Sequence, residues 1–224
     1  MMVDISQLSP GEMAEQLGQP TGEIGIAVGD YMSKFNAGLI RAAYGLLALP
    51  AKSRVLEVGF GNGKLIGEML LAAPDVAYTG IEVSSAMMLE AKRHNRALIE
   101  QGRVELHLES LESLPFPDAT FDRAITINTI YFWPDQVRAL AEIRRSLRST
   151  GLLVVASMTP ETAEGSAAAK PEFGFNVPSR DALKLLHHRA GFRQIWFDYY
   201  EEQAKRLDGT TYNRAYHIVL AQPD

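Results

Sequence analysis

The chain has 224 residues, 46% hydrophobic and 22% charged, with a formal net charge of −5 and no cysteine. That length suits one α/β domain with a substantial core, and the composition excludes a disordered chain. The negative charge argues against nucleic acid as a partner, and the missing cysteines exclude disulfides, thiolate metal sites and cysteine nucleophiles. The opening residues show neither the basic region nor the apolar stretch of a secretory signal, and "GLLAL" and "GLLVVASM" fall well short of a span of ~20 apolar residues. A cytoplasmic protein without integral membrane association is therefore expected.

Residues 1–50 read as a helical N-terminal cap. Ser9, Pro10 and Glu12 form a capping-box pattern with Gly18 as a stop. A second helical stretch to about Leu49 repeats Met32, Phe35, Leu39, Ile40, Ala43, Leu46 and Leu47 at helical spacing, and this apolar face is expected to cover the mouth of the main domain. From Arg54 short apolar runs alternate with helices: "RVLEVG", Lys64 to Ala73, "VAYTGIEV", Ser85 to Glu100, "RVELHLE", "RAITIN", Pro134 to Leu147 and "LLVVASM". This βαβα order predicts a parallel sheet over a core of residues 51–157. Residues 158–178, rich in Ala, Pro and Gly, read as an irregular, lid-like excursion over one edge. Ser179 then caps a helix ending at Gly191. In the remainder of the 179–224 segment, "FRQIWFDYY" and "AYHIVLAQ", joined by a polar stretch containing Gly209, suggest an antiparallel pair at the end of the sheet.

The densest chemical signal is "VLEVGFGNGKL", a buried strand running into Gly59, Gly61 and Gly63. Glycine lets the backbone take positive φ and approach a ligand closely. A nicotinamide-type G-x-G-x-x-G needs a third glycine where Lys64 stands, and a P-loop needs Gly at Val58 and Ser or Thr at Leu65, so both fail. Glu82, at the tip of the next strand, lies about twenty residues beyond the glycines, where a carboxylate accepts hydrogen bonds from ribose hydroxyls.

The remaining pattern, acidic Glu57 followed by G-x-G-x-G, resembles the first motif of the class I S-adenosylmethionine-dependent methyltransferases. "LPFPDATFD" aligns with their type 11, ubiquinone/menaquinone-methyltransferase-like branch, and the resemblance covers about Leu49 to Gly191. It implies a single Rossmann-like α/β domain, with a seven-stranded, mostly parallel sheet whose last strand is antiparallel. It implies S-adenosylmethionine as cofactor and methyl transfer to a small-molecule acceptor through an O, N or C nucleophile. The alternative is a protein that keeps the cofactor fold for non-methylating or regulatory chemistry.

By the same resemblance Glu57 sits near the methionine amino group, Glu82 with Val83 beside it at the ribose, and Met87 against the adenine. The family's Gly-Asp-Ala triplet is replaced here by Glu109, Ser110 and Leu111, so Ser110 accepts a hydrogen bond without a charge. Asn128 and Thr129 face the methionine end. Candidate bases are Tyr31, Tyr131, Trp133 and His187, with His188 beside it; a surface or capping place is the plainer reading for both histidines, and His107 and His217 read as structural. No metal site is expected.

Overall fold

The computed structural model describes residues 3–112, 114–205 and 209–224. After a short 3-10 turn, helix α1 (Pro10–Gly18) begins at the expected capping box: Ser9 Oγ accepts from Glu12 N (3.3 Å), and the Glu12 carboxylate accepts from Ser9 N (2.8 Å). The second helical stretch is two helices, α2 (Gly22–Phe35) and α3 (Ala37–Leu46), broken at Asn36 (φ −95°, ψ 5°). Hydrogen bonds run past the break on both sides, from Asn36 N to Met32 O and from Ile40 N to Asn36 O. The bend is therefore a kink held from outside, where Arg214 Nη1 donates to Asn36 Oδ1 (3.2 Å).

The alternating region forms β1 (Arg54–Val58), α4 (Ile66–Ala72), β2 (Ala77–Glu82), α5 (Ser85–His94), α6 (Arg96–Glu100), β3 (Val104–Leu108), β4 (Phe121–Ile127), α7 (Gln136–Ser146) and β5 (Leu147–Met158). Helix α8 (Pro160–Glu164) and a 3-10 turn lie inside the segment read as irregular. α9 (Arg180–Arg189), β6 (Gln194–Lys205) and β7 (Thr211–Gln222) complete the chain. The helix expected from Ser85 to Glu100 is interrupted at Asn95, whose Nδ2 donates to Gly63 O (2.9 Å) and Ala91 O (3.0 Å). Asn95 thereby couples this helix pair to the glycine turn.

The seven strands form one sheet in the order β3-β2-β1-β4-β5-β7-β6. β7 runs antiparallel to both its neighbours, and the other pairings are parallel. This is the Rossmann-like sheet with an antiparallel last strand that the sequence predicts. The terminal hairpin is longer than its apolar runs, because strand pairing continues through Glu201–Ala215 to Lys205–Thr211. Gly209 lies in the turn, and residues 206–208 of that polar stretch lie outside the described residues.

Alternation along the strands sends side chains to two layers. Leu56, Val58, Leu153, Val155 and Val219 pack with Leu140 and Ile143 of α7 and Leu183 of α9. Val55, Ile125, Val154, Ala156 and Ile218 pack with Leu39 and Ala43 of α3, Ile66 and Met69 of α4, and Met88 and Ala91 of α5. β1 is buried on both faces beyond its exposed first residue Arg54, so Val55, Leu56 and Val58 are apolar and Glu57 is a buried charge among them. Leu140 is fully buried and Leu89 is exposed. Leu140→Ala is expected to lower the urea-unfolding free energy by about 2–5 kcal/mol, and Leu89→Ala to change it by less than ~0.5 kcal/mol.

Candidate active site

β1 lies where the strand order reverses, with β2 on one side and β4 on the other, and the crevice at the carboxyl ends of such strands is where open α/β sheets bind ligands. The turn leaving β1 takes positive φ at Gly59 (72°), Gly61 (60°) and Gly63 (65°). The three differ in what a side chain would meet. A Cβ at Gly59 would sit 2.5 Å from Thr129 Cγ2, and one at Gly63 2.8 Å from Ala91 Cβ, so both glycines are required by packing. At Gly61 nothing lies within 4 Å, and the backbone there borders open space.

Glu82 ends β2 and is buried. Its Oε1 accepts from the amides of Val83 (2.8 Å) and Ser84 (3.0 Å), and its Oε2 from Gly61 N (3.0 Å). Burial raises its pKa, opposed by these amides. Ser84 caps α5 by accepting from Met87 N (3.1 Å). Met87 is buried with its thioether against Gly29 of α2, whereas Val83 is exposed. Ser110 is exposed in the loop after β3, next to buried Leu111. Asn128 follows β4 at φ 56°, with its Oδ1 buried and without a partner, and the Thr129 hydroxyl hydrogen-bonds that of Thr126.

Glu57 is also buried and accepts from two tyrosines, Tyr78 (2.8 Å) and Tyr44 of α3 (3.0 Å). Burial pushes its pKa up from 4.5 to about 7, partly opposed by these hydroxyls. The glycine loop is tied to the N-terminal cap as well. Asp30 of α2 accepts from Lys64 Nζ (2.6 Å) and Asn62 Nδ2 (2.9 Å), and Asp30 is thereby held below the usual carboxylate range.

One cavity of about 1270 Å³ is lined by every residue expected at the cofactor and by Tyr44, Asn62 and Lys64. Tyr31, Tyr131 and Trp133 line it too. Tyr131 stacks on Phe175 with centroids 5.2 Å apart, and Phe132 meets both rings edge-on (4.8 and 4.7 Å). Burial raises the pKa of Tyr131 well above its ordinary value and that of Tyr31 in the same direction. His187 does not belong to the site. It is 0% exposed in the core between α9 and Phe192, and its Nδ1 lies 2.7 Å from Leu183 O. Burial depresses its pKa to about 4. The surface or capping alternative fails for the same reason, since helical spacing from Leu183 turns His187 inward. His188 is exposed, and none of the five histidines lines the cavity.

Residues 56–155 match the family model described as a methyltransferase domain. The chain is 32% identical over 146 residues to the uncharacterized methyltransferase YdaC of Bacillus subtilis, a match covering 65% of this chain and 78% of that protein. It is 34% identical over 149 residues to an O-methyltransferase of Aspergillus nomiae, covering 64% of this chain and 66% of the other. The chain belongs to the family of S-adenosylmethionine-dependent methyltransferases. Among solved structures, the complex between the Haloferax volcanii Trm112 methyltransferase activator and a methyltransferase aligns with a TM-score of 0.72 at 15% identity, covering 95% of this chain and 98% of that one. At that identity the likeness speaks for the fold alone.

Residues of this methyltransferase that sequence reasoning missed include Tyr44, Tyr78, Asp30, Glu202 and Arg214. Tyr212, Arg214 and Tyr216 recur at every second position, a period that places an arginine on the same strand face as two aromatics. Among the described residues, no group of three or more His, Cys, Asp or Glu is placed to hold a metal ion, and no helix is long and apolar enough to cross a membrane.

A carboxyl whose folded pKa is raised keeps its full contribution to stability below the unfolded value and loses it as pH rises through the folded one. For Glu57 that window runs from 4.5 to about 7. Glu57→Gln cannot titrate, so its stability relative to wild type is expected to rise across the window by on the order of 2–3 kcal/mol, read from urea unfolding at about pH 5 and about pH 8.

Proposed function

We propose that the cavity holds S-adenosylmethionine across the carboxyl ends of β1, β2 and β4, and that the enzyme transfers its methyl group to a small, largely apolar acceptor. The observation that carries this reading is the pairing of Gly61 with Glu82. A buried carboxylate fixed by three backbone amides stands beside the glycine that borders open space. An adenosyl ligand suits the residues present. A side chain at Gly61 would enter the space it needs, and Asn128 Oδ1 is a buried acceptor still lacking a donor.

In this reading Glu82, with one lone pair left on Oε2 after its three amides, accepts from a ribose hydroxyl, while Met87 and Leu111 flank the adenine. Val83 and Ser110 border the adenosyl end, and Gly59 and Gly63 shape the turn. Glu57, Asn128 and Thr129 receive the methionine portion. When bound, the cofactor supplies a methyl already activated on a sulfonium, so the protein's part is to align the acceptor and exclude water. Residues 1–50 and 158–178 close over the acceptor. Ala167, Ala168, Ala169 and Phe175 contribute a wall from the second segment, and Met13 and Leu17 of α1 contribute from the first.

Tyr31 and Tyr131 have pKa values raised by burial, so they donate hydrogen bonds at neutral pH rather than accept protons. Trp133 offers an N–H donor only. With no histidine at the cavity and Glu57 given to the methionine portion, the reading favours an acceptor whose lone pair is available without a protein base, such as a neutral amine, an acidic hydroxyl or an activated carbon. Residues 51–157 are the cofactor half of a single domain that runs through 179–224.

Calorimetry with S-adenosylhomocysteine tests the cofactor half. Gly61→Val and Glu82→Ala are each expected to weaken binding by about tenfold or more through lost space and lost hydrogen bonds; unaltered affinity in both overturns the placement. Wild-type affinity is expected to rise with pH up to about 7, because the cofactor ammonium favours ionised Glu57, and this slope is expected to vanish in Glu57→Gln. Methyl transfer from labelled cofactor into a metabolite extract tests the rest, and cofactor binding with no labelled product in any extract favours a non-methylating protein instead.

A further inference from the structure

The cavity is also bordered by Arg214, part of a polar cluster that methyl transfer itself does not require. The terminal hairpin pairs Tyr200 with Tyr216 and Glu202 with Arg214, so all four stand on one face. That face meets the kink between α2 and α3. Arg214 lines the cavity yet is only 3% exposed. Its Nη1 donates to Asn36 Oδ1 (3.2 Å), and its Nη2 donates to Phe35 O and to Glu202 Oε1 (2.6 Å). The guanidinium lies over the Phe35 ring, with Cζ 3.7 Å from the centroid. Tyr200 donates to the other Glu202 oxygen (3.0 Å).

A guanidinium carries five N–H groups. Three are engaged in these bonds, and Arg214 Nε is buried with no partner. An unpaired buried donor is costly, and an acceptor oxygen brought to this guanidinium would offset that cost. The chemistry of that oxygen follows from the charges. Glu202 neutralises Arg214, so a carboxylate placed here would be brought beside a second carboxylate, whereas an uncharged oxygen accepts without that repulsion. The neighbouring lining from Phe35, Met158 and Tyr216 suits a flat apolar body.

We propose that Arg214 is a specificity-determining residue that anchors an uncharged carbonyl or phenolic oxygen on a flat, apolar methyl acceptor, with Glu202 as its fixed counter-ion. The proposal rests on the methyltransferase reading of the cavity, since it names the class of acceptor. Glu202 and Tyr200 are positioning residues that set the charge and orientation of the guanidinium.

The test uses two probes with the same ring body, uncharged 2-naphthol and anionic 2-naphthoate, titrated by calorimetry near neutral pH into the full chain saturated with S-adenosylhomocysteine. Wild type is expected to bind 2-naphthol about tenfold more tightly than 2-naphthoate, and Arg214→Met to lose about tenfold of the 2-naphthol affinity. Because Arg214→Met also removes the contacts at Asn36, Glu202→Gln provides a second readout. It leaves the guanidinium charge uncancelled and is expected to raise 2-naphthoate affinity about tenfold while 2-naphthol changes less than about twofold, a loss of the wild-type preference that a purely structural Arg214 would not produce. Wild type that binds S-adenosylhomocysteine but takes neither probe, or both equally, overturns the proposal alone, as does an unchanged preference in Glu202→Gln. Failure of wild type to bind S-adenosylhomocysteine overturns the cofactor reading, and this proposal with it.

Discussion

The carboxylate of Glu82 is the constraint on which the site depends. One oxygen is taken by the amides that continue its own strand, at Val83 and Ser84, and the other by Gly61 in the turn leaving β1. A side chain at the end of one strand thereby fixes the backbone at the end of the next. The glycine turn needs such a brace, because three residues at positive φ forgo the local restraint that side chains impose. Burying the carboxylate costs desolvation, and the three amides offset that cost while leaving one lone pair on Oε2.

The elements around this brace transmit its position outward. Ser84 caps α5, which places Met87 beneath α2. α2 returns Asp30 to Lys64 and Asn62 in the same glycine turn. α3 sends Tyr44 to Glu57 on β1. The N-terminal helices are thus attached to β1 and the glycine turn through polar contacts at several points, as well as through the apolar face that their helical spacing advertises.

Much of this was legible in the residues because it is local. The capping box at Ser9, the glycines after β1 and the acid at the tip of β2 are each defined by short spacings, and each lies where the spacing predicts. What was not legible depends on contacts between distant segments. The kink at Asn36 looks like uninterrupted helix until Arg214 reaches it, and Asn95 looks like helix interior until it meets Gly63. His187 reads as a surface residue on composition, yet it follows Leu183 by four positions on the helix and turns with it into the core. The inward alternation of Tyr200 with Glu202 and of Arg214 with Tyr216 is present in the chain, but its charges disguise the hairpin as a polar connection.

The bond from Asn36 to Arg214 spans 178 positions, whereas the bond from Gly61 to Glu82 spans 21. Closing the longer loop carries the larger entropic cost, and contacts of high sequence separation form late in folding. During synthesis, chain leaves the ribosome from its N-terminal end, so the glycine turn and its acidic brace can meet while β7 is still untranslated. The two borders of one cavity are therefore born at different times, and the one bearing Arg214 is completed only after β7 has been made.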